Sequence, residues 1–363
     1  MAPWQAVCRL GQLATPVALL LLSACQQVGQ VLGQGPDPLP LPAGISVAFN
    51  QRQAQRYRSP INGHWRNGDD LEAMVLARIA GAHEQILVAV QELSLPAIAQ
   101  ALVEKRRAGV RVAVVLENTY RQPWSRESLA DLEPHQRQRH RQLEALADRN
   151  HDGVLSQAER EQGDAVLILE RGDVPILDDT ADGSAGSGLM HHKFMVIDHR
   201  EVITGSANFT SSCIHGDPDD ERTRGNVNHL LRLESPELAG LFEDEFARLW
   251  GDGPGGAEDS RFGLGKHNGG LQSVQIGNTR VSVLFAPQAQ YDPAGGLAVI
   301  GEAIGAARHS IDLALFVLSA QSLGDALAAA QQRGVSLRVL VDPGFAHRSF
   351  SETASTFSVA GCK

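Results

Sequence analysis

The apolar positions change period along the first third of the chain. Ile45, Val47 and Phe49 alternate with smaller or polar residues, the pattern of a strand. Leu71, Met74, Val75, Ala77, Ile79 and Ala80 follow at helical spacing and predict a helix over 70–82. The unbroken apolar run 86–90 predicts a buried strand. Residues 96–107 read as a helix, with Pro96 in its first turn and Gly109 just past its end, and 110–116 as the next strand. Strand, helix and strand at this spacing imply a right-handed crossover and a parallel pair.

The same text returns 225 residues later without a gap. Ile86, Ala89, Leu93, Ser94, Ala101, Leu102, Gly109, Val110 and Val114 match Ile311, Ala314, Leu318, Ser319, Ala326, Leu327, Gly334, Val335 and Val339, and Glu117 falls on Asp342. Most of these are core positions, but the ungapped length points to an internal duplication. The second copy runs over 281–363 and holds only the opening strand–helix–strand unit.

Between the copies, residues 121–163 read as an insertion whose first part, 133–147, is an Arg-rich helix. The runs 165–170 and 174–176 read as strand pieces, and 178–189 as a small-residue loop that can bring backbone close to a ligand. Residues 194–197 read as a buried strand and 228–233 as another. Residues 236–250 form an amphipathic helix with Leu238, Leu241, Phe242, Phe246 and Leu249 on one side. The stretch 251–280, Gly-rich over 251–270, is the expected linker to the second copy.

Residues 1–24 stand outside this pattern. One Arg precedes an apolar run over 13–22, too short to span a bilayer, as in a signal peptide. The run closes on Leu22-Ser23-Ala24-Cys25, which resembles the bacterial lipobox, so Cys25 is the expected lipidation site. Residues 25–44 then read as a tether. The implied location is the extracytoplasmic side of a bacterial cell envelope, held to the membrane by lipid. Cutting off residues 1–24 removes one positive charge and no acid, which takes the net charge from −10 to −11 and argues against a broad nucleic-acid-binding surface. Cys213 and Cys362, the other cysteines after Cys25, form no framework and stay unassigned.

Inside the insertion, residues 148–159 (DRNHDGVLSQAE) fit a twelve-residue calcium loop. Asp148, Asn150 and Asp152 supply oxygens at positions 1, 3 and 5, and Gly153 turns the chain at 6. Val154 gives a carbonyl at 7, Ser156 stands at 9, and Glu159 closes at 12. The pattern resembles EF-hand and dockerin-like loops. The bland reading is an Asp/Asn/Gly turn between two helices.

The chemistry concentrates in residues 190–208 (MHHKFMVIDHREVITGSAN). His191 and Lys193, two apart on an extended segment, point to one face and can meet one phosphate. His191-x-Lys193-x4-Asp198-x6-Gly205-Ser206-x-Asn208 resembles the HKD signature of the phospholipase D superfamily. The resemblance implies an α/β fold, an αβα sandwich with a mixed sheet, here as one complete repeat over 45–250 and a partial second. It also implies phosphodiester hydrolysis without a catalytic metal. His191 would attack phosphorus to give a phosphohistidine, Lys193 and Asn208 would hold non-bridging oxygens with Ser206 nearby, and Asp198 would orient. His192 is the alternative nucleophile by type, but the spacing selects His191. Calcium at 148–159 would be structural or regulatory.

Members of this family use two such motifs, and the second copy here holds no His-x-Lys with the downstream pattern. His347 is followed by Arg348 and Ser349. Truncation of a two-motif enzyme, a homodimer that pairs two copies of His191, and an inactive calcium-binding surface lipoprotein are the competing explanations. The expected substrate is a phospholipid, with a nucleic acid, and hence a secreted endonuclease, as the alternative.

Overall fold

The structure, a computed structural model, describes residues 40–183, 190–218, 225–255, 259–267 and 269–353. The expected signal peptide, lipobox Cys25 and most of the tether, Cys362, and residues 184–189 of the small-residue loop lie outside the described residues.

A seven-stranded mixed sheet forms the centre. Its strands are β1 (Ile45–Phe49), β4 (Gln85–Val90), β5 (Arg111–Leu116), β6 (Ile176–Asp178), β7 (Lys193–Ile197), β8 (Glu201–Gly205) and β9 (His229–Glu234), in the spatial order β1-β9-β8-β7-β4-β5-β6. β4, β5 and β6 are parallel, and the pairings from β4 through β7, β8 and β9 to β1 are antiparallel. A hairpin of β2 (Arg56–Arg58) and β3 (Trp65–Asn67) interrupts the chain before the first helix.

Both sheet faces are covered, because β4 and β5 are apolar at successive positions. Ile86, Val88 and Val90 face α1 (Leu71–Ala80), α2 (Pro96–Arg107) and α5 (Ala165–Arg171). Leu87 and Ala89 turn to the other side, where α7 (Pro236–Trp250), which follows the one-turn α6 (Ser211–Ile214), lays down Leu238, Phe242, Phe246 and Leu249. Each such fully buried Leu or Phe contributes about 1.5–3 kcal/mol. The result is the expected αβα sandwich, with the crossover from β4 through α2 to β5.

The run 165–170 is helical, not extended. Asp164 caps it by accepting from the Leu167 backbone N–H at 3.1 Å. Ala165, Val166 and Leu169 fall on one helical face against α2. A short continuous apolar run fits either state, and the polar cap decides between them. β8 carries no strong alternation of its own; it is defined by pairing back on β7 through the turn 198–200, where Asp198 and His199 have positive φ.

The expected linker is partly structured. β10 (Gln272–Ile276) and β11 (Thr279–Val283) form a hairpin, and Phe262, Val274, Ile276 and Phe285 join the core beneath α7.

In the second copy, β12 (Ser310–Leu315) and β13 (Ser336–Val341) are parallel, as their counterparts β4 and β5 are. α8 (Gly296–Ala306) and α9 (Gln321–Gln332) cover one face around Ile304, Leu327 and Val335. The matched acids also act alike. Glu117 accepts from the Thr119 N–H at 3.0 Å and Asp342 from the Gly344 N–H at 2.8 Å, each capping the turn after its strand. The other face is open: Leu340 and Phe316 are 58% and 61% exposed. Asp312, Ala314, Arg338 and Leu340 stand where Leu87, Ala89, Ala113 and Val115 meet α7 in the first copy, and here Arg338 pairs with Asp312 while Leu340 lies exposed.

The insertion holds α3 (Pro134–Ala147) and α4 (Gln157–Gly163), which flank the loop 148–156. Leu143 and Ala147 pack with Trp124 and Leu155. At Gly163 a Cβ would meet that of Ala147 at 2.3 Å, so the two helices approach as closely as glycine allows.

Candidate active site

His191 leads into β7 and lies exposed at the sheet edge where β4 and β8 end. Two backbone contacts fix the approach. Met190 N–H donates to the fully buried Asp179 carboxylate at 2.9 Å, and Gln91 N–H donates to the His192 carbonyl at 3.0 Å. Lys193 is half-buried, and its Nζ donates to the His191 carbonyl at 3.0 Å and to Gln91 Oε1 at 3.2 Å. Asn208 Nδ2 reaches the same Gln91 oxygen at 3.2 Å.

The Gly-Ser-x-Asn segment is locked to its neighbours. A Cβ on Gly205 would stand 2.2 Å from the His229 carbonyl oxygen, so only glycine lets β8 and β9 close here. Ser206 Oγ donates to Asn228 Oδ1 at 2.9 Å and lies 3.2 Å from His229 Nδ1. Phe209 N–H donates to the Glu92 carbonyl, while the Ser94 and Leu95 N–H groups donate to the Phe209 carbonyl, so residues 206–210 and 91–95 are bound to each other through the backbone.

The site is partly desolvated. Burial, then Lys193 and His192, push the His191 imidazole down to about 4. Burial pushes the Lys193 ammonium down to about 8, against the opposing pull of Cys213 and Glu92. At neutral pH this leaves a neutral imidazole two residues from a cation, the protonation states a nucleophile and a phosphate clamp need.

His191, Lys193, Ser206 and Asn208 therefore share one sheet edge, and Asp198 does not. It lies at the far end of β7, about 20 Å from His191 at the rise of a strand. Its carboxylate accepts from the backbone N–H groups of His83, Glu84 and Gln85 at 2.8 to 3.1 Å. The orienting role read from sequence gives way to a fold-fixing one, because a five-residue strand separates Asp198 from the site.

His192 points away from His191. Its ring packs on Phe194 and Phe285, and Nε2 lies 2.8 Å from Glu245 Oε1 on α7. Buried Lys266 pairs with the same carboxylate and donates to the Ala286 carbonyl at 2.6 Å. His192 is thus a core histidine.

Gln91, Glu92, Asn228 and His229 complete the surroundings and were not singled out from the sequence. The available signal was the polar pair Gln91-Glu92 directly after the wholly apolar run 86–90; position 91 has Phe316 as its counterpart in the second copy. Glu92 also pairs with Arg139 of α3 at 2.8 Å, so the insertion leans on the site's neighbour.

In the calcium-like loop, Gly153 N–H donates to Asp148 Oδ2, Asp152 N–H to Asn150 Oδ1, and Val154 N–H to Asp152 Oδ1. Asp148 Oδ1 is buried without a hydrogen-bond partner. Glu159 instead turns back on Ser156, accepting from its N–H and hydroxyl as the capping box of α4. Among the described residues no three His, Cys, Asp or Glu side chains are gathered as metal ligands.

Residues 75–250 match the family described as cardiolipin synthase, PLD-like domain. This part of the chain resembles a phospholipase D-like domain. Its most similar relatives include the mitochondrial cardiolipin hydrolase of Mus musculus, 38% identical over 63 residues, which are 17% of this chain and 24% of that one. The mitochondrial cardiolipin hydrolase of Xenopus laevis is 24% identical over 182 residues, half of this chain and 62% of that one. The chain thus spans less than two thirds of either relative. Among solved structures, the phospholipase D family member Nuc from Salmonella typhimurium aligns over 58% of this chain and 95% of its own, with 18% identity and a TM-score of 0.34. Among the described residues no helix is long and apolar enough to cross a membrane.

Proposed function

We propose that the phospholipase D-like domain hydrolyses a phosphodiester and that its substrate is a phospholipid. The observation that carries this is the convergence of His191, Lys193 and Asn208 on one edge, with Lys193 and Asn208 joined through Gln91. Neutral His191 attacks phosphorus, the bond to the leaving alkoxide breaks, and that oxygen takes a proton from an acid. Water then breaks the phosphorus–nitrogen bond and its proton returns to the acid. Lys193 and Asn208 hold the non-bridging oxygens as charge shifts onto them, with Ser206 beside them. The names of the relatives and of the matching family support a lipid, and a net charge of −10 works against a nucleic acid.

The acid in this reading is His191 of a second copy. What supports a homodimer is that His191 lies exposed at the end of the sheet, where a second copy can reach it. The sequence at Leu22–Cys25 supports lipid attachment as the membrane anchor.

Calcium is proposed as a structural or regulatory ion at Asp148, Asn150, Asp152, Val154, Ser156 and Glu159. The orphaned Asp148 Oδ1 fits a cation, while Glu159 must leave Ser156 to reach it. Calcium titration followed by calorimetry should give binding that Glu159→Ala weakens; equal heats from both forms exclude this loop.

Turnover of bis-p-nitrophenyl phosphate by the parent and not by His191→Ala tests the enzyme reading. Phosphatidylglycerol vesicles against plasmid DNA then test the substrate, and cleavage of DNA alone overturns the lipid assignment. Size-exclusion chromatography tests the pairing, since a fully active monomer contradicts it.

A further inference from the structure

The stretch 51–68 carries four arginines, Arg52, Arg56, Arg58 and Arg66, and no acid, in a chain of net charge −10. It folds as the β2–β3 hairpin. Cross-strand register places Arg56 opposite Asn67, and Arg58 opposite Trp65, on one face; Tyr57 and Arg66 take the other. Tyr57 turns inward and is half-buried, while Arg56, Arg58, Trp65 and Asn67 are exposed. Trp65 is 63% exposed, with the Arg56 guanidinium 4.2 Å from its ring centroid.

The hairpin is tied through its opposite face and its root to elements that border the candidate active site. Tyr57 Oη lies 2.9 Å from Nδ1 of His215, which stands seven residues after Asn208 in the chain, and His215 Nε2 lies 2.8 Å from buried Glu72. At the hairpin's root, Asn50 Oδ1 accepts from the Asn228 N–H at 2.7 Å, and Asn228 in turn receives the Ser206 hydroxyl. β1 ends at Phe49 opposite His229, on the sheet edge that holds the site, three strand spacings or about 14 Å from β7. Phe49 and Val227, 39% and 56% exposed, add apolar surface between hairpin and site.

We propose that this hairpin docks the chain on a bilayer surface carrying anionic headgroups, with Trp65 at the interface and Arg56 and Arg58 against the headgroup charge. Indole rings settle at membrane interfaces, and arginines keep their charge at headgroup level while their stems lie along apolar surface. Charge complementarity selects an anionic surface in an otherwise acidic chain. A single exposed indole with an arginine already over one face is a poor platform for stacked bases, which disfavours single-stranded nucleic acid. Docking here brings the edge holding His191 and Lys193 to the membrane and rests on the lipid reading above only for that consequence.

The test is flotation of the full chain, carrying Cys25→Ser in every form so that lipid attachment cannot contribute, with phosphatidylcholine vesicles and with vesicles also containing phosphatidylglycerol. Arg56→Glu with Arg58→Glu should lower partition onto the anionic vesicles about tenfold or more, Arg56→Gln with Arg58→Gln by less, and Trp65→Ala several-fold. Unchanged thermal midpoints show that each variant folds. Turnover of bis-p-nitrophenyl phosphate should be unaffected, so inactivity of every form counts against the phosphodiesterase reading and not against docking. Equal partition of the charge-reversed and parent chains overturns the proposal. So does loss of single-stranded oligonucleotide binding with vesicle binding intact, which assigns the hairpin to nucleic acid.

Discussion

Lys193 and Asn208 share one acceptor: Gln91 Oε1 lies 3.2 Å from the lysine Nζ and 3.2 Å from the asparagine Nδ2. Lys193 on β7 and Asn208 in the loop after β8, the two groups proposed to bind phosphate, are thereby held by a third side chain that touches both. Gln91→Ala should lower kcat about 10–100-fold, since small misplacement of binding groups costs that much, without unfolding the domain. Gln91→Glu should move the alkaline limb of the pH–rate profile upward, because a carboxylate beside Lys193 favours its ammonium form. Steady-state kinetics of both variants, unchanged from the parent, would remove Gln91 from the site.

The pH profile follows from the two shifted groups. His191 must be neutral to attack, and with its pKa lowered to about 4 it is neutral well below the usual histidine range. Lys193 must be charged, and with its pKa lowered to about 8 it loses its proton above that value. The acid, His191 of the second copy, must carry a proton while the attacking His191 does not. Turnover of a soluble diester should therefore peak well on the acid side of neutrality and fall further as Lys193 loses its proton above about 8. An acid limb near the ordinary histidine value of about 6.5 would show that His191 is not desolvated as described.

Asp198 should matter for stability and not for chemistry. Burial alone would raise its carboxyl, but the Glu84, Gln85 and His83 N–H groups, with Arg200, hold it below the ordinary aspartate range. A depressed folded pKa gives stability that is present above the unfolded value and lost as pH falls through the folded one. Asp198→Ala should cost about 1.5–3 kcal/mol in urea denaturation, with kcat of the folded fraction near the parent value. A large fall in kcat at unchanged stability would restore a catalytic role.

Glu245 is fully buried and serves both His192 and Lys266. Burial raises its carboxyl, but His192 and Lys266 outweigh that and hold it below its ordinary value. Removing it strands a buried lysine. Glu245→Ala should cost about 3–5 kcal/mol, and Glu245→Gln with Lys266→Met should recover most of that loss. Equal loss in the single and double variants, again by urea denaturation, would mean that the charge pair is not what stabilises this contact.

Much of the architecture was legible because burial wrote it into the periods of the sequence. The run 86–90 and its repeat at 311–315 became the central strands of the two copies, and the stripe on 236–250 became the helix that covers Phe194 and Val196. What periodicity missed has a physical cause. Ala165 to Leu169 is apolar in either state, and only the Asp164 cap makes it a helix. β8 owes its form to the turn at Asp198 and His199. At the site, motif spacing brought out His191, Lys193, Ser206 and Asn208 but not Gln91, which is 102 residues from Lys193 in the chain and meets it only through the β4–β7 pairing. The same spacing included Asp198, because a motif records what a strand needs at both ends and not which end does chemistry.

The central claim is that His191 forms a covalent bond to phosphorus. Turnover of a labelled phosphodiester, quenched under alkaline conditions and followed by peptide mapping, tests it most directly. The account predicts label on the peptide containing His191 in the parent chain and neither label nor turnover in His191→Ala. Turnover with no label at His191, or undiminished turnover in His191→Ala, would contradict it.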